Sequence, residues 1–288
     1  MKTFVVQFSR LLRVRHWVKN GFVFIPAIFA KALGADTLWG LFLVSLYFCL
    51  ASSVVYIFND LIDLDKDRRH PTKQSRPIAS GYFTPRAAMV YLFALLLIVG
   101  CGCFWLPEIA PIIGAYLVLN IAYTLYLKYL AIVDVAILGI GFVLRVLAGG
   151  IYAEVFVSEW LVTIVFLLST ALGFAKRRHD LAVAPEVAME SRNGPTYTLP
   201  FLDLAITIML TITLMAYIIY SLSPVVMERL NSDKIYLTSF FVFLGILRYL
   251  LLTIDAKSSG SPVEIIYRDR VLQFIRLGWA TTFYPLIY

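Results

Sequence analysis

The sequence predicts an all-α integral membrane protein, a bundle of about nine transmembrane helices, from three observations. Sixty per cent of its 288 residues are hydrophobic and 15% are charged, with a mean hydropathy of +0.82; an ordinary soluble domain has about a quarter charged. Apolar runs long enough to cross a bilayer recur along the chain, broken by charge, proline and glycine clusters. The basic residues gather almost entirely in alternate connections.

The spans fall at about 16–31, 38–58, 86–105, 109–127, 131–152, 158–175, 201–221, 235–253 and 272–287. In the first, basic residues precede "GFVFIPAIFAKALGA", a pattern shared with signal peptides. Pro26 interrupts the apolar run, and Arg13, Arg15, Lys19 and Asn20 are a specific polar set, so a membrane helix is the better reading. The second span runs into "NDLIDLDKDRRHPTKQSRPIASG", residues 59–81, the densest charge in the chain. Spans three to five follow with short connections, and Lys128 and Asp134 sit at the fourth. Span five carries Arg145 in its interior, where a charge costs at least ~2.5 kcal/mol at the bilayer centre and calls for a partner or an anionic ligand. Span six ends in "GFAKRRHDL", and the last three spans carry the rest of the apolar sequence. Cys49, Cys101 and Cys103 all lie in apolar stretches and suit packing inside the bilayer, not a disulfide framework. Residues 1–288 read as a single polytopic domain.

Of the 25 Lys and Arg, nineteen fall on one membrane face and only Lys31, Arg229 and Lys234 on the other, while Arg145, Arg248 and Arg276 lie inside spans. The positive-inside rule then places the N-terminus in the cytoplasm and the C-terminus opposite, with the long polar connections 59–85 and 176–200 on the cytoplasmic side.

Topology alone does not explain 59–81, because orientation needs no carboxylates. Continued as helix through residue 67, the second span places Asp60, Asp63 and Asp67 at i, i+3 and i+7 on one face, with Asn59 beside them and Asp65 turned toward solvent. Crowded carboxylates need a cation, and oxygen-only donors suit Mg²⁺, which ordinarily takes one or two carboxylates plus substrate phosphates. The pattern predicts a magnesium-bridged diphosphate. An EF-hand fails, because the sixth loop position is Arg68 where glycine is needed and the twelfth is Gln74 where a bidentate glutamate belongs. Pro71 and Pro77 end the helix, so the cations of "RRHPTKQSRP" can curl back over the acids. Nucleic acid is excluded as a partner: the stretch interleaves acid with base, unlike a basic patch.

"NDLIDLDKD" resembles the N-D-x-x-D-x-x-x-D signature of the UbiA-type polyprenyl transferase superfamily, helical bundles that bind a magnesium diphosphate substrate. More narrowly, "RVRHWVKNGFVFIPAIFA", "VDVAILGIGFVLRVLAGG", "FAKRRHDL" and "GILRYLL...SPVEIIYRDR" look like the polyprenyl-phosphate phosphoribosyltransferase branch. Superfamily members that use prenyl diphosphate carry a second acidic cluster after span six, where this chain has Lys176, Arg177, Arg178, His179 and Asp180. Cations in place of carboxylates suit a second substrate bringing its own phosphate without further metal.

The resemblance implies transfer of 5-phosphoribose from 5-phosphoribosyl 1-pyrophosphate to a polyprenyl phosphate such as decaprenyl phosphate, feeding lipid-linked pentose and cell-envelope glycan synthesis at the inner (plasma) membrane. Asn59, Asp60, Asp63 and Asp67 are the expected metal set, the three aspartates being catalytic. Lys19, Asn20, Arg68, His70, Lys73, Arg76 and Lys128 are candidates for the donor's phosphates, and Arg145, Lys176 and Arg177 for the acceptor's. A homo-oligomer is compatible with the sequence. Two other functions stay open: a prenyltransferase moving an isoprenoid from its diphosphate to an aromatic ring, and a transporter for a phosphorylated solute.

Overall fold

A computed structural model of the chain describes residues 2–183, 197–254 and 262–287, and every regular element among them is helical. Arg192 and Lys257, counted above on the basic face, and Ser261 of the late motif lie outside the described residues. The helices are α1 (Lys2–Leu11), α2 (Ile25–Phe29), α3 (Ala35–Ile62), α4 (Leu64–Arg69), α5 (Pro85–Trp105), α6 (Ala110–Leu125), α7 (Val133–Tyr152), α8 (Glu159–Val183), α9 (Leu199–Leu222), α10 (Pro224–Leu230), α11 (Ser239–Ile254), α12 (Pro262–Arg268) and α13 (Arg270–Ile287). Six described segments are long and apolar enough to cross a bilayer: α3, α5, α7, α8, α9 and the stretch Ile235–Ile254, whose first turn is 3₁₀. The protein is a multi-pass membrane protein. The predicted fourth span is the shorter apolar helix α6, and the ninth coincides with α13.

The predicted first span is not a regular α-helix. Val14–Phe24 forms a 3₁₀ helix of 11 residues, followed by the five-residue α2. Pro26 has no N–H to return to the Phe22 carbonyl, and that carbonyl instead accepts from Ile25 in a tighter i→i−3 bond. The segment packs closely on α7: a Cβ added at Gly149 would lie 1.9 Å from the Val23 carbonyl oxygen, so only glycine fits there.

Contacts divide the chain into two compact units. The first comprises residues up to Ile137 together with Gly141–Val157, and the second Leu138–Ile140 and the described residues from Ser158 onward.

The core of the first unit is built around α3, against which the 3₁₀ segment, α5 and α6 pack; Leu41, Val44, Phe48, Ala51 and Ile57 on α3 are fully buried. On α5, Ala88, Leu92, Leu95 and Val99 turn inward while Val90, Phe93 and Leu97 are at least 66% exposed. A helix apolar on every side is what lipid on one face and protein on the other require, and association then rests on packing, since leaving hydrocarbon gains little. Thr84 caps α5 by accepting from the Ala87 N–H at 3.2 Å.

In the second unit α8 packs along α9, and α11 along α13. Arg178 of α8 pairs with Asp203 of α9 and donates to the Ile254 carbonyl at 2.8 Å. The Tyr217 hydroxyl meets Thr238 Oγ1 at 2.7 Å and accepts from Trp279 Nε1 at 2.9 Å, joining α9 and α13 to the 3₁₀ turn. Among these helices lies a cavity of about 330 Å³ with Leu168, Leu210, Phe241, Ile246, Ile275 and Trp279 in its wall.

Candidate functional site

The acid stretch sits where α3 passes into α4. The helix breaks lightly at Asp63 (φ −90, ψ 9), so it is not continuous through residue 67. The α-type ladder nevertheless crosses the break, with Asp63 N–H to the Asn59 carbonyl at 2.9 Å and Asp67 N–H to the Asp63 carbonyl at 2.8 Å, which keeps Asp60, Asp63 and Asp67 on neighbouring turns. Asp60 and Asp67 are buried at 3% and 2% exposure. The Asp63 side chain is 19% exposed, and Asp65 is 84% exposed with Arg68 3.7 Å away. Asn59 is half-buried beside them.

Burying carboxylates costs several kcal/mol each unless cations and hydrogen bonds compensate them, and here three cations do. Arg76 arrives through the proline-bounded loop, where His70 Nδ1 accepts from the Thr72 and Lys73 N–H groups at 3.3 Å and a 3₁₀ turn spans Lys73–Ser75. Its Nη1 then reaches Asp60 Oδ1 at 3.0 Å and Asp67 Oδ2 at 2.5 Å. Lys128, on the 3₁₀ turn Leu127–Tyr129, brings Nζ to 2.6 Å from Asp63 Oδ1. The third cation is Arg13, which also hydrogen-bonds Asp60 Oδ1 and lies 4.6 Å over the Tyr56 ring. Sequence reasoning grouped Arg13 with Arg15 and Lys19 but assigned it no role. Nothing in local patterning distinguishes it from Arg10 and Arg15, which are exposed, whereas Arg13 turns inward from a left-handed backbone (φ 51, ψ 46).

A second polar group in the same unit surrounds Arg145, which is buried at 6% exposure. Its Nε donates to Asn20 Oδ1 at 2.7 Å, Nη1 to the Gly141 carbonyl at 2.6 Å and Nη2 to the Tyr116 hydroxyl at 3.1 Å. Tyr116 and Phe48 present their ring faces at 4.8 and 5.4 Å. Asn20 in turn donates to Cys49 Sγ at 3.0 Å, which fixes its amide oxygen toward Arg145. These polar partners are all neutral, so among the described residues no carboxylate pairs with this cation.

The remaining candidates are spread more widely. Lys19 is half-buried on the 3₁₀ segment beside Asn20, Arg68 is half-exposed on α4, and His70 and Lys73 shape the loop that delivers Arg76. Lys176 and Arg177 lie on α8 in the second unit, the first exposed and the second half-buried. Their neighbour Arg178 is taken up by Asp203.

The acid set fits a magnesium ion in its chemistry. Hydrogen bonds occupy Oδ1 of Asp60, Oδ1 of Asp63 and Oδ2 of Asp67, so each carboxylate has a second hard oxygen to offer. No three acidic, histidine or cysteine side chains among the described residues are placed to share one ion. That is compatible with Mg²⁺, which is usually held by one or two carboxylates and completes its octahedron with phosphate and water.

Comparison with known proteins places this geometry in context. The model for the UbiA prenyltransferase family matches residues 21–263. The whole chain is 30% identical to the decaprenyl-phosphate phosphoribosyltransferase of Mycolicibacterium smegmatis, covering 94% of that protein. The protein of the same name from Corynebacterium glutamicum is 29% identical over 97% of this chain and 86% of its own length. Among solved structures, a UbiA homolog from Archaeoglobus fulgidus bound to GPP and Mg²⁺ matches with a TM-score of 0.71 at 16% identity, over 98% of this chain and 99% of that one. A digeranylgeranylglyceryl phosphate synthase structure matches at 0.67 and 16%, over 97% of each chain. At such identities the structures bear on the fold alone, and they share it.

Proposed function

The chain belongs to the UbiA prenyltransferase family, and from that premise we propose that it is a membrane phosphoribosyltransferase moving 5-phosphoribose from 5-phosphoribosyl 1-pyrophosphate to a polyprenyl phosphate of the decaprenyl type. The observation that carries the reading is the 30% identity, over 100% of this chain, to a protein named decaprenyl-phosphate phosphoribosyltransferase. Residues 1–288 act as one polytopic transferase domain, with the family match at 21–263 running through both units.

In the reaction a lipid phosphate oxygen attacks the anomeric carbon, the bond from that carbon to the pyrophosphate oxygen breaks, and pyrophosphate leaves. The attacking phosphate is already an anion, so no side chain has to remove a proton from it. Asp60, Asp63 and Asp67, with Asn59, form the oxygen set from which one or two carboxylates would hold the divalent cation; bound Mg²⁺ would neutralise the charge that develops on the departing pyrophosphate. Two of the solved UbiA homologue structures contain Mg²⁺ together with a diphosphate, which supports a divalent metal here. Arg76 and Lys128 already stand on the carboxylates, within reach of a phosphate bound there. Lys19, Asn20, Arg68, His70 and Lys73 complete the donor set, and Arg145 is assigned to the acceptor's phosphate; Lys176 and Arg177, the sequence's other candidates for it, belong to the second unit. Arg145 supports its assignment through its neutral surroundings, since a buried cation without a carboxylate suits an anionic ligand. The charge asymmetry supports a site on the cytoplasmic side of the membrane, and the resemblance to the phosphoribosyltransferase branch supports the plasma membrane as its location, with the product feeding envelope glycan synthesis.

The test is purified protein in detergent with Mg²⁺, labelled 5-phosphoribosyl 1-pyrophosphate and polyprenyl phosphates of several lengths. Label is expected to enter the lipid phase. Its absence with every length, in a folded preparation, sinks the reading.

A further inference from the structure

We propose that Arg13 couples metal uptake to donor uptake: with Arg76 and Lys128 it balances Asp60, Asp63 and Asp67, so that the site takes up a divalent cation weakly alone and more tightly together with a diphosphate. The proposal rests on the metal–diphosphate reading above and adds a residue and a binding rule to it.

Three carboxylates face three cations in the cluster, so its formal charge is zero. Asp60 Oδ1 accepts from two guanidinium groups at once while its residue is 3% exposed. In a site so shielded from water, charge interactions are stronger than at a surface. A divalent cation entering alone would face Arg13, Arg76 and Lys128 with nothing to take up their charge. A diphosphate entering alone would face three carboxylates. Entering together, the two bring their own balance: the carboxylates turn to the cation and the guanidinium groups to the phosphates, for which the planar arginine fork is suited.

Arg13 is built for that exchange. Its backbone occupies the left-handed region (φ 51, ψ 46) between α1 and the 3₁₀ segment, uncommon for a residue with a side chain. This turn sends the side chain across 47 residues of sequence to Asp60. Tyr56, one helical turn before Asp60, gives the guanidinium a ring face at 4.6 Å on which it can stay stacked while its hydrogen bond changes partner. The side chain is 20% exposed, so its outer edge is open to an arriving phosphate.

The experiment measures Mn²⁺ binding by electron paramagnetic resonance to the full chain in detergent, with and without inorganic pyrophosphate. The native chain is expected to bind Mn²⁺ weakly alone and at least about tenfold more tightly with pyrophosphate, a coupling that must be reciprocal. Arg13→Gln leaves the site one negative charge and is expected to bind Mn²⁺ alone about tenfold more tightly than the native chain, with weaker coupling. Arg13→Lys keeps the charge and should stay near native. Lys128→Gln, which unbalances Asp63 instead, should shift donor-free affinity in the same direction and serves as the readout if Arg13→Gln does not fold. If both neutral variants bind Mn²⁺ alone no more tightly than the native chain, the coupling role is wrong while the metal site stands. If the native chain binds no Mn²⁺ even with pyrophosphate, the metal–diphosphate reading fails and the coupling role with it.

Discussion

In the first unit, Asp60, Asp63 and Asp67 meet Arg13, Arg76 and Lys128 in one cluster, with Arg76 shared by two carboxylates and Asp60 by two arginines. Among the described residues of the second unit, Arg178 pairs with Asp203 and Arg248 with Asp269, two pairs that share no partner, and the unit's cavity is walled by leucine, isoleucine and aromatic side chains. The difference is one of use. A shared network can exchange partners when an ion or phosphate arrives, because Asp60 has two cations and Arg76 two carboxylates, while Lys128 stands beside them on Asp63. An isolated pair has nothing to exchange with, and its work is to hold helices: Arg178 ties α8 to α9 and to the end of α11, while Asp269 both binds Arg248 and caps α13 by accepting from the Leu272 N–H at 2.8 Å.

The comparison can be broken first at the acids. Asp60→Asn or Asp63→Asn should lower label transfer to lipid by at least about 100-fold, with the thermal unfolding midpoint in detergent little changed in Asp63→Asn, whose side chain is partly exposed, and lowered in Asp60→Asn, which deprives Arg13 of its carboxylate. Retained activity in both variants would remove the metal role from the cluster.

Next in size are two glycine substitutions. Gly149→Ala places a Cβ against the Val23 carbonyl and should destabilise the first unit by about 2 to 3 kcal/mol as the 3₁₀ segment is pushed away. Gly245→Ala, beside the apolar cavity, meets only Ile275 Cγ2 at 3.6 Å, an ordinary contact, and should be neutral or slightly stabilising. Equal thermal unfolding of the two variants would show that the close seat of the 3₁₀ segment is not what Gly149 provides.

Arg145→Ala should weaken binding of the phosphate substrates about tenfold, read as a rise in KM. If it lowers the unfolding temperature and leaves KM alone, Arg145 is a packing residue and its neutral cage is structural.

The smallest effect belongs to Asp269, whose carboxyl is held below the usual aspartate range first by its hydrogen bond to Arg248 and further by backbone N–H groups. Such a group adds stability at pH values above its unfolded pKa of about 3.9, and that contribution is lost as the pH falls through its lowered folded pKa. Asp269→Asn should therefore lower the unfolding midpoint slightly near neutral pH and narrow its gap to the native chain under acid. A gap that widens on acidification would contradict the pairing.

Much of this was legible in the sequence. Hydropathy over about 20 residues marks a span wherever the tertiary contacts lie, so six predicted spans coincide with long apolar helices. Helical periodicity is equally local, which is why the Asp60, Asp63 and Asp67 face could be read before any contact was known. Arg13 could not be found that way, because its partner lies 47 residues on, and neither could the Arg145 cage, whose Asn20 is 125 residues away.

By itself, the sequence determined a polytopic helical membrane protein, the turns that carry its acids and the family to which it belongs, since hydrophobic run length, 3.6-residue periodicity and motif spacing act along the chain. Only the tertiary structure decided that the entry segment winds as 3₁₀ and seats against Gly149, that Arg145 has neutral partners, and that Arg13 completes the charge balance at Asp60. Those outcomes depend on which distant groups share a buried volume, where every charge must find a partner and every Cβ must find room.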